Sequence, residues 1–176
     1  DRWHVDGKVI DPFRPGLAFP AASDQEFDLL QQQHFDAVVR AIRSATVLVA
    51  TLGLTEAWRD RRDGCVYPAC PGTVAGTFDP ERHEFVNLTF DDVRADLREL
   101  VERVRDINPT LRVVITVSPV PLVATAEPRH VVGSTVYSKS VLRAAADDAT
   151  RSLPDVAYFP AYEIVTGPDR KSTRLN

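Results

Sequence analysis

Thr46-Val47-Leu48-Val49-Ala50-Thr51-Leu52-Gly53-Leu54-Thr55-Glu56 is the stretch that decides the fold. Its first seven residues are apolar or β-branched with no polar alternation, and Gly53 ends the run. A strand covered on both faces reads as a continuous run, whereas a half-solvated one alternates. The segment is therefore predicted to be a buried strand of a parallel sheet. Two runs of the same kind follow, Leu111 to Val117, cut off by Ser118-Pro119, and Val156-Ala157-Tyr158-Phe159.

Helical periods separate these runs. Ser23 with Glu26 forms a capping box. Phe27, Leu30, His34, Val38 and Ile42 then recur at three- and four-residue steps, which predicts a helix over about 24–43, with His34 at the edge of the core. Thr89 with Asp92 repeats the start signature, and Phe90, Val93, Leu97, Leu100, Val101, Val104 and Ile107 form an apolar stripe ended by Asn108-Pro109. A third helix is predicted over about 134–151, with Ser134 as its N-cap. Strands alternating with helices imply parallel pairing through crossovers. The expectation is an α/β protein with a three-layer, doubly wound parallel sheet.

Two segments depart from this rhythm. Residues 1–22 carry Gly7, Pro12, Pro15, Gly16 and Pro20 and read as an extended loop with at most a short strand. Residues 57–88 have no helical period and hold Gly64, Pro68, Pro71, Gly72, Gly76 and Pro80. They read as a long irregular insert after the first strand, with a hairpin near Cys65–Tyr67 and Glu84–Val86. No repeat and no second core is visible, so one domain over 1–168 suffices.

Composition narrows the function classes. The chain has 176 residues, 44% hydrophobic and 26% charged, with a net charge of −4. A weakly acidic surface argues against nucleic acid as the main partner, since phosphate neutralisation needs a basic field. No apolar run reaches the roughly 20 residues of a membrane span, and no basic-then-apolar leader opens the chain, so a cytoplasmic location is favoured. Cys65 and Cys70 read as two unpaired thiols, because a zinc site needs about four ligands and His83 stands without a partner. No metal and no cofactor is expected, as no Gly-rich phosphate loop follows any strand. The sequence contains no methionine and opens at Asp1-Arg2-Trp3, which reads as a fragment or a processed chain. Residues 169–176 read as a non-native tail resembling a translated sequencing adaptor.

In an open parallel sheet, ligands bind outside the carboxyl ends of the strands. That rule selects Gly53, Thr55 and Glu56 from the first exit, Ser118 from the second, and Tyr162 and Glu163 from the third. Backbone N–H groups at Gly53 and the Thr55 hydroxyl suit an oxyanion site; the same residues equally suit a plain turn with Thr55 and Glu56 as caps. His130, next to Arg129, is placed either to hold a substrate anion or to anchor the loop before the third helix. Ser138 and Lys139 are adjacent on a helix and point apart, so they are not read as a Ser/Lys pair, and Lys139 is expected as a surface or substrate-facing cation. The insert is expected to arch over the carboxyl edge, with Trp58 and Tyr67 as cleft walls.

Several segments together resemble the GSCFA family. They are Thr51-Leu52-Gly53-Leu54-Thr55-Glu56-Ala57-Trp58, Pro71-Gly72-Thr73 with Phe78-Asp79-Pro80, and Ile107-Asn108-Pro109. Thr116 to Leu122, Arg129-His130-Val131, Tyr137 to Arg143 and Tyr158 to Ile164 complete the set. That family is similar to SGNH/GDSL-type hydrolases, which implies a flavodoxin-like fold and hydrolysis of a small-molecule or glycan ester through a serine nucleophile. The resemblance puts Gly53-Leu54-Thr55-Glu56 in the place of a Gly-x-Asn-Asp block, with Thr55 where asparagine would stand. A hydroxyl donates one hydrogen bond where an amide donates two. The family's Gly-Ser-Cys-Phe-Ala motif is absent, the only Gly-Ser pair being Gly133-Ser134, and no histidine follows Glu163. No catalytic residue is identifiable, so the expectation is an acyl hydrolase scaffold without turnover. The alternative is a non-catalytic binding module. No protein partner is indicated.

Overall fold

The computed structural model describes residues 2–167; the tail read as non-native lies outside them. In chain order the elements are β1 (Trp3–Val5), β2 (Lys8–Ile10), α1 (Asp24–Ser44), β3 (Val47–Leu52), β4 (Glu56–Asp60) and β5 (Val66–Tyr67). β6 (His83–Asn87), α2 (Phe90–Ile107), β7 (Arg112–Val117), α3 (Val131–Ser152), β8 (Val156–Phe159) and α4 (Ala161–Thr166) follow. They divide into two compact units. One takes the described residues up to Ala41 together with Glu56–Asn87, and the other takes Ile42–Thr55 and the described residues from Leu88 on.

The second unit is built on a parallel sheet of order β3-β7-β8. The three hydrophobic runs form its strands, with Val47 opposite Arg112, Leu52 opposite Val117, and Val113 opposite Val156. Period-two alternation puts Val113, Ile115 and Val117 on one face with Leu48 and Leu52. On that face α2 contributes Val93, Leu97, Val101 and Val104, and α3 contributes Leu142, Ala145, Ala146 and Ala149. Ile115 and Val117 are fully buried.

The mixed α/β class and the parallel sheet match the sequence reading, but the coverage of the first strand does not. β3 is an edge strand, and on the face away from α2 and α3 Val47, Val49 and Phe159 are exposed, Val49 by 61%. Only β7, in the middle, has the burial that an unbroken apolar run implies. Within this unit the two long helices share one face, so the expected double winding is not present there.

Local chemistry explains the helix ends. Thr89 caps α2: its N–H donates to Asp92 Oδ2 at 2.8 Å, and its Oγ1 accepts from Asp92 N–H at 3.3 Å. Asn108, past the other end, donates from Nδ2 to the carbonyls of Ile42 and Ala45, each at 2.9 Å, which fixes the approach to β3. α3 starts at Val131, earlier than expected, because His130 is its N-cap and accepts from Val132 N–H at 3.2 Å. Ser134 therefore lies inside the first turn and is not the cap.

The first unit holds what the sequence reading left irregular. β1 and β2 form an antiparallel hairpin. Its two turn residues, Asp6 and Gly7, have φ of 47° and 73°, the left-handed conformations that a two-residue hairpin turn requires. The insert is a three-stranded antiparallel sheet of order β5-β4-β6. The expected hairpin arms, β5 and β6, do not pair with each other; both pair with β4, placing Trp58 opposite Tyr67 on one side and Phe85 on the other. Gly76 has φ of 75°, and a Cβ there would come within 2.7 Å of the Trp3 ring. Of the apolar stripe of α1, only Phe27 is buried, while Leu30 and Val38 stay exposed and His34 is half-buried.

Candidate functional site

Parallel pairing sends β3, β7 and β8 out at one edge, so Gly53, Ser118 and Pro160 leave the sheet on the same side. The β3 exit is the most constrained. The ladder ends with Ser118 N–H donating to Leu52 O at 2.9 Å. Beyond it, α3 braces the turn from behind. Lys139 Nζ donates to Gly53 O at 2.8 Å, and Thr55 N–H donates to Ser138 Oγ at 2.6 Å. Thr55 Oγ1 donates to the same Ser138 oxygen at 3.0 Å.

Thr55, Ser138 and Lys139 are all essentially without solvent exposure. Among the described residues Lys139 has no carboxylate partner, and burial pushes its ammonium below the ordinary lysine range. Thr55 thus faces inward as part of the brace. Between the two tethered residues, Leu54 is 38% exposed, and among the described residues its N–H has no hydrogen-bond partner. A Cβ on Gly53 would meet nothing within 4 Å, so the space in front of the turn is open.

Beside this turn lies a cavity of about 370 Å³. Leu52, Leu54, Leu88, Val93, Leu97, Leu100 and Leu142 are its apolar lining residues, with Thr51, Gly53 and Asp96 completing the lining. Asp96 sits at the exposed rim, and its pKa is raised by partial burial and by Asp92 and Glu99 nearby.

At the β8 exit, Glu163 is enclosed in a second cluster. Its oxygens accept from Arg143 Nε at 2.6 Å and from Tyr158 Oη at 2.8 Å, and the Arg143 guanidinium lies 4.2 Å from the centre of the Tyr158 ring. Burial and the Glu163 carboxylate raise the Tyr158 phenol to about 12. Burial alone would raise Glu163 too, but the hydrogen bonds from Tyr158 and Arg143 outweigh it and hold the carboxyl below its usual range.

The remaining sequence-selected residues are scattered. Ser118 Oγ accepts from Val120 N–H at 3.2 Å and shapes its own turn. His130 caps α3, while Arg129 pairs with Glu127 at 3.0 Å and lies over the Tyr137 ring, so the two basic side chains do not converge on one anion. Tyr162 packs against the core of the second unit. Among the described residues, no hydrogen bond joins Ser118, His130 or Tyr162 to the Gly53–Thr55 turn.

Glu56 opens β4, paired with Asn87. Trp58 meets Phe78 and Phe85 edge-on in the first unit. Tyr67 is 2% exposed and packs against Trp3, Phe13 and His83, a core position in that unit. Its hydroxyl donates to Asp60 Oδ2 at 3.1 Å.

Ser138 and Lys139 are the residues whose importance the sequence reading missed. Lys139 is not a surface cation. Adjacent helical residues do diverge, yet these two reach atoms two residues apart in the same turn. The available signal was Ser134 and Ser138, spaced four apart on what is otherwise the apolar face of α3.

Among the described residues no three metal-ligating side chains gather, and no helix is long and apolar enough to cross a membrane. No curated protein and no solved structure matches the chain. A family model described as the GSCFA family matches residues 4–174. That span takes in both units, the braced Gly53–Thr55 turn and all three strand exits, and the chain belongs to the GSCFA family.

Proposed function

We propose that the chain is the scaffold of an SGNH-type acyl-ester hydrolase, with the β3 exit as its oxyanion side. One observation carries this reading. Ser138 and Lys139 tether the turn after the first parallel strand on either side of Leu54, whose backbone N–H has no hydrogen-bond partner among the described residues. A preorganised, unsatisfied N–H is what a developing oxyanion needs, since the donor does not reorganise as charge builds. The donor pair is then the Gly53-Leu54 backbone, with Thr55 as the brace that holds it.

These 176 residues lack both the Gly-Ser-Cys-Phe-Ala serine and a histidine after Glu163. Removing the serine or the histidine of such a triad costs on the order of 10⁶ in turnover. The chain itself is therefore expected to show background hydrolysis only. A short-chain aryl ester tests this, and turnover at ordinary esterase rates would overturn it. The hydrolase reading is tested on any longer product of the gene that contains the family's serine motif. It should hydrolyse the ester, and serine-to-alanine replacement should abolish turnover.

A second reading, a binding module without chemistry, is favoured by a separate observation. The Glu163 carboxylate and the Nδ1 of His130 are both committed to structural hydrogen bonds.

A further inference from the structure

The cavity beside the β3 exit is more than a gap in packing. It has the size of small-ligand sites, which run from about 300 to 1,000 Å³. Seven of its lining residues are leucine or valine, and no aromatic ring or amide side chain lines it. Such a wall offers nothing to stack on a sugar ring and only Thr51 and Asp96 to bond its hydroxyls, while its aliphatic stretch suits methylene groups. Leu54, whose N–H has no partner among the described residues, belongs to the same lining.

We propose that this cavity is an acyl pocket that takes the straight aliphatic chain of a neutral ester, with the ester carbonyl at Leu54 N–H. The proposal rests on the hydrolase reading above and names its acyl group. Charge separates the ester from the free acid of equal length. The only ionisable group in the lining is Asp96, with Asp92 and Glu99 close to it and no cation among the lining residues. A free fatty acid would have to give up the hydration of its carboxylate beside this acidic rim, a cost that one neutral N–H donor does not offset. An uncharged ester meets no such penalty.

The test is a titration of the isotope-labelled chain, read from its amide resonances. Methyl butanoate, methyl hexanoate and methyl octanoate are the neutral probes, and octanoate and octylammonium are the charged ones. The expected result is saturable shifts at Leu54, Val93, Leu97 and Leu142. Affinity should rise about fourfold per added methylene until the cavity is full, and octanoate at pH 7.5 should bind at least tenfold more weakly than its methyl ester.

Leu100 is 37% exposed, so Leu100→Trp should fold and block the pocket, while Leu100→Ala should leave it open. The proposal is overturned by affinity that ignores chain length, by octanoate or octylammonium binding more tightly than the ester, or by shifts that survive Leu100→Trp. It is also overturned if self-association, seen by sedimentation, fills the site and no ester binds. Ester binding here, with no turnover by the serine-bearing gene product, would sink the hydrolase reading alone. Turnover that is blind to acyl length, with no binding here, would sink the pocket alone.

Discussion

Lys139 poses the sharpest question at the scale of single residues. An ammonium taken out of water costs several kcal/mol even after relaxation, and a well-paired ion recovers much of that. Among the described residues Lys139 has one hydrogen-bond partner, the carbonyl of Gly53. Its presence is a stability cost tied to the geometry of one turn. Lys139→Met keeps the volume and removes the charge, so it is expected to raise stability by about 1–2 kcal/mol in urea unfolding. A drop of similar size would mean that the Gly53 tether outweighs desolvation.

Ser138→Ala works in the opposite direction. It removes the acceptor that Thr55 uses twice, and the expected loss is about 1–3 kcal/mol by the same measurement. Neither role was legible beforehand, because sequence spacing says which way a helical side chain points but not which distant carbonyl it meets. Gly53 and Thr55 were legible as a special turn, since a glycine straight after an apolar run marks a strand exit whatever the chain does next.

Between elements, legibility followed periodicity. α2 was readable to its cap because Thr89 and Asp92 supply both halves of the capping box and the stripe behind them never breaks. β7 and β8 were readable because unbroken apolar runs survive in parallel sheets. β4 was not. Glu56-Ala57-Trp58-Arg59-Asp60 mixes charge and bulk, and only pairing on both sides reveals it as the centre of a sheet. The Asp6-Gly7 hairpin was a local signal overlooked among prolines.

β3 shows how a correctly read strand of the parallel sheet can be given more cover than it has. Val47 to Leu52 would read the same at the centre or at the edge, and burial alone distinguishes the two. As an edge it lacks the usual protections, having no lysine, no proline and no bulge. Val49, 61% exposed, is the natural place to add one. Val49→Lys is expected to lower concentration-dependent light scattering while changing the unfolding midpoint little. Unchanged scattering would show that the edge does not drive association.

At the scale of the whole molecule, stability against pH sums over the buried ionisable groups, and three of them separate cleanly. Asp60 has no solvent exposure and accepts from Arg62, Arg82 and Tyr67. The Arg62 hydrogen bond, together with those from Arg82 and Tyr67, holds its carboxyl far below the ordinary value despite burial. Its contribution is present above about pH 4 and is lost only as acid reaches the depressed folded value. Lys139, shifted down, acts at the alkaline end, where stability rises as the pH approaches the ordinary lysine value.

His83 governs the range between. It is 4% exposed, its Nδ1 accepts from Asp79 N–H at 3.1 Å, and among the described residues its Nε2 has no hydrogen-bond partner. Burial first, then the neighbouring Arg82, lowers its pKa. The unfolded chain therefore takes up the proton first, and stability falls as pH drops below about 6.5 toward the lower folded value. The slope has a ceiling of about 1.4 kcal/mol per pH unit for one group. His83→Asn retains an acceptor for Asp79 N–H and removes the titration, so its urea midpoint should be flat between pH 7.5 and 5.5 where the parent's declines. Equal slopes in the two proteins would assign the decline to another group and would show that the buried imidazole does not titrate there.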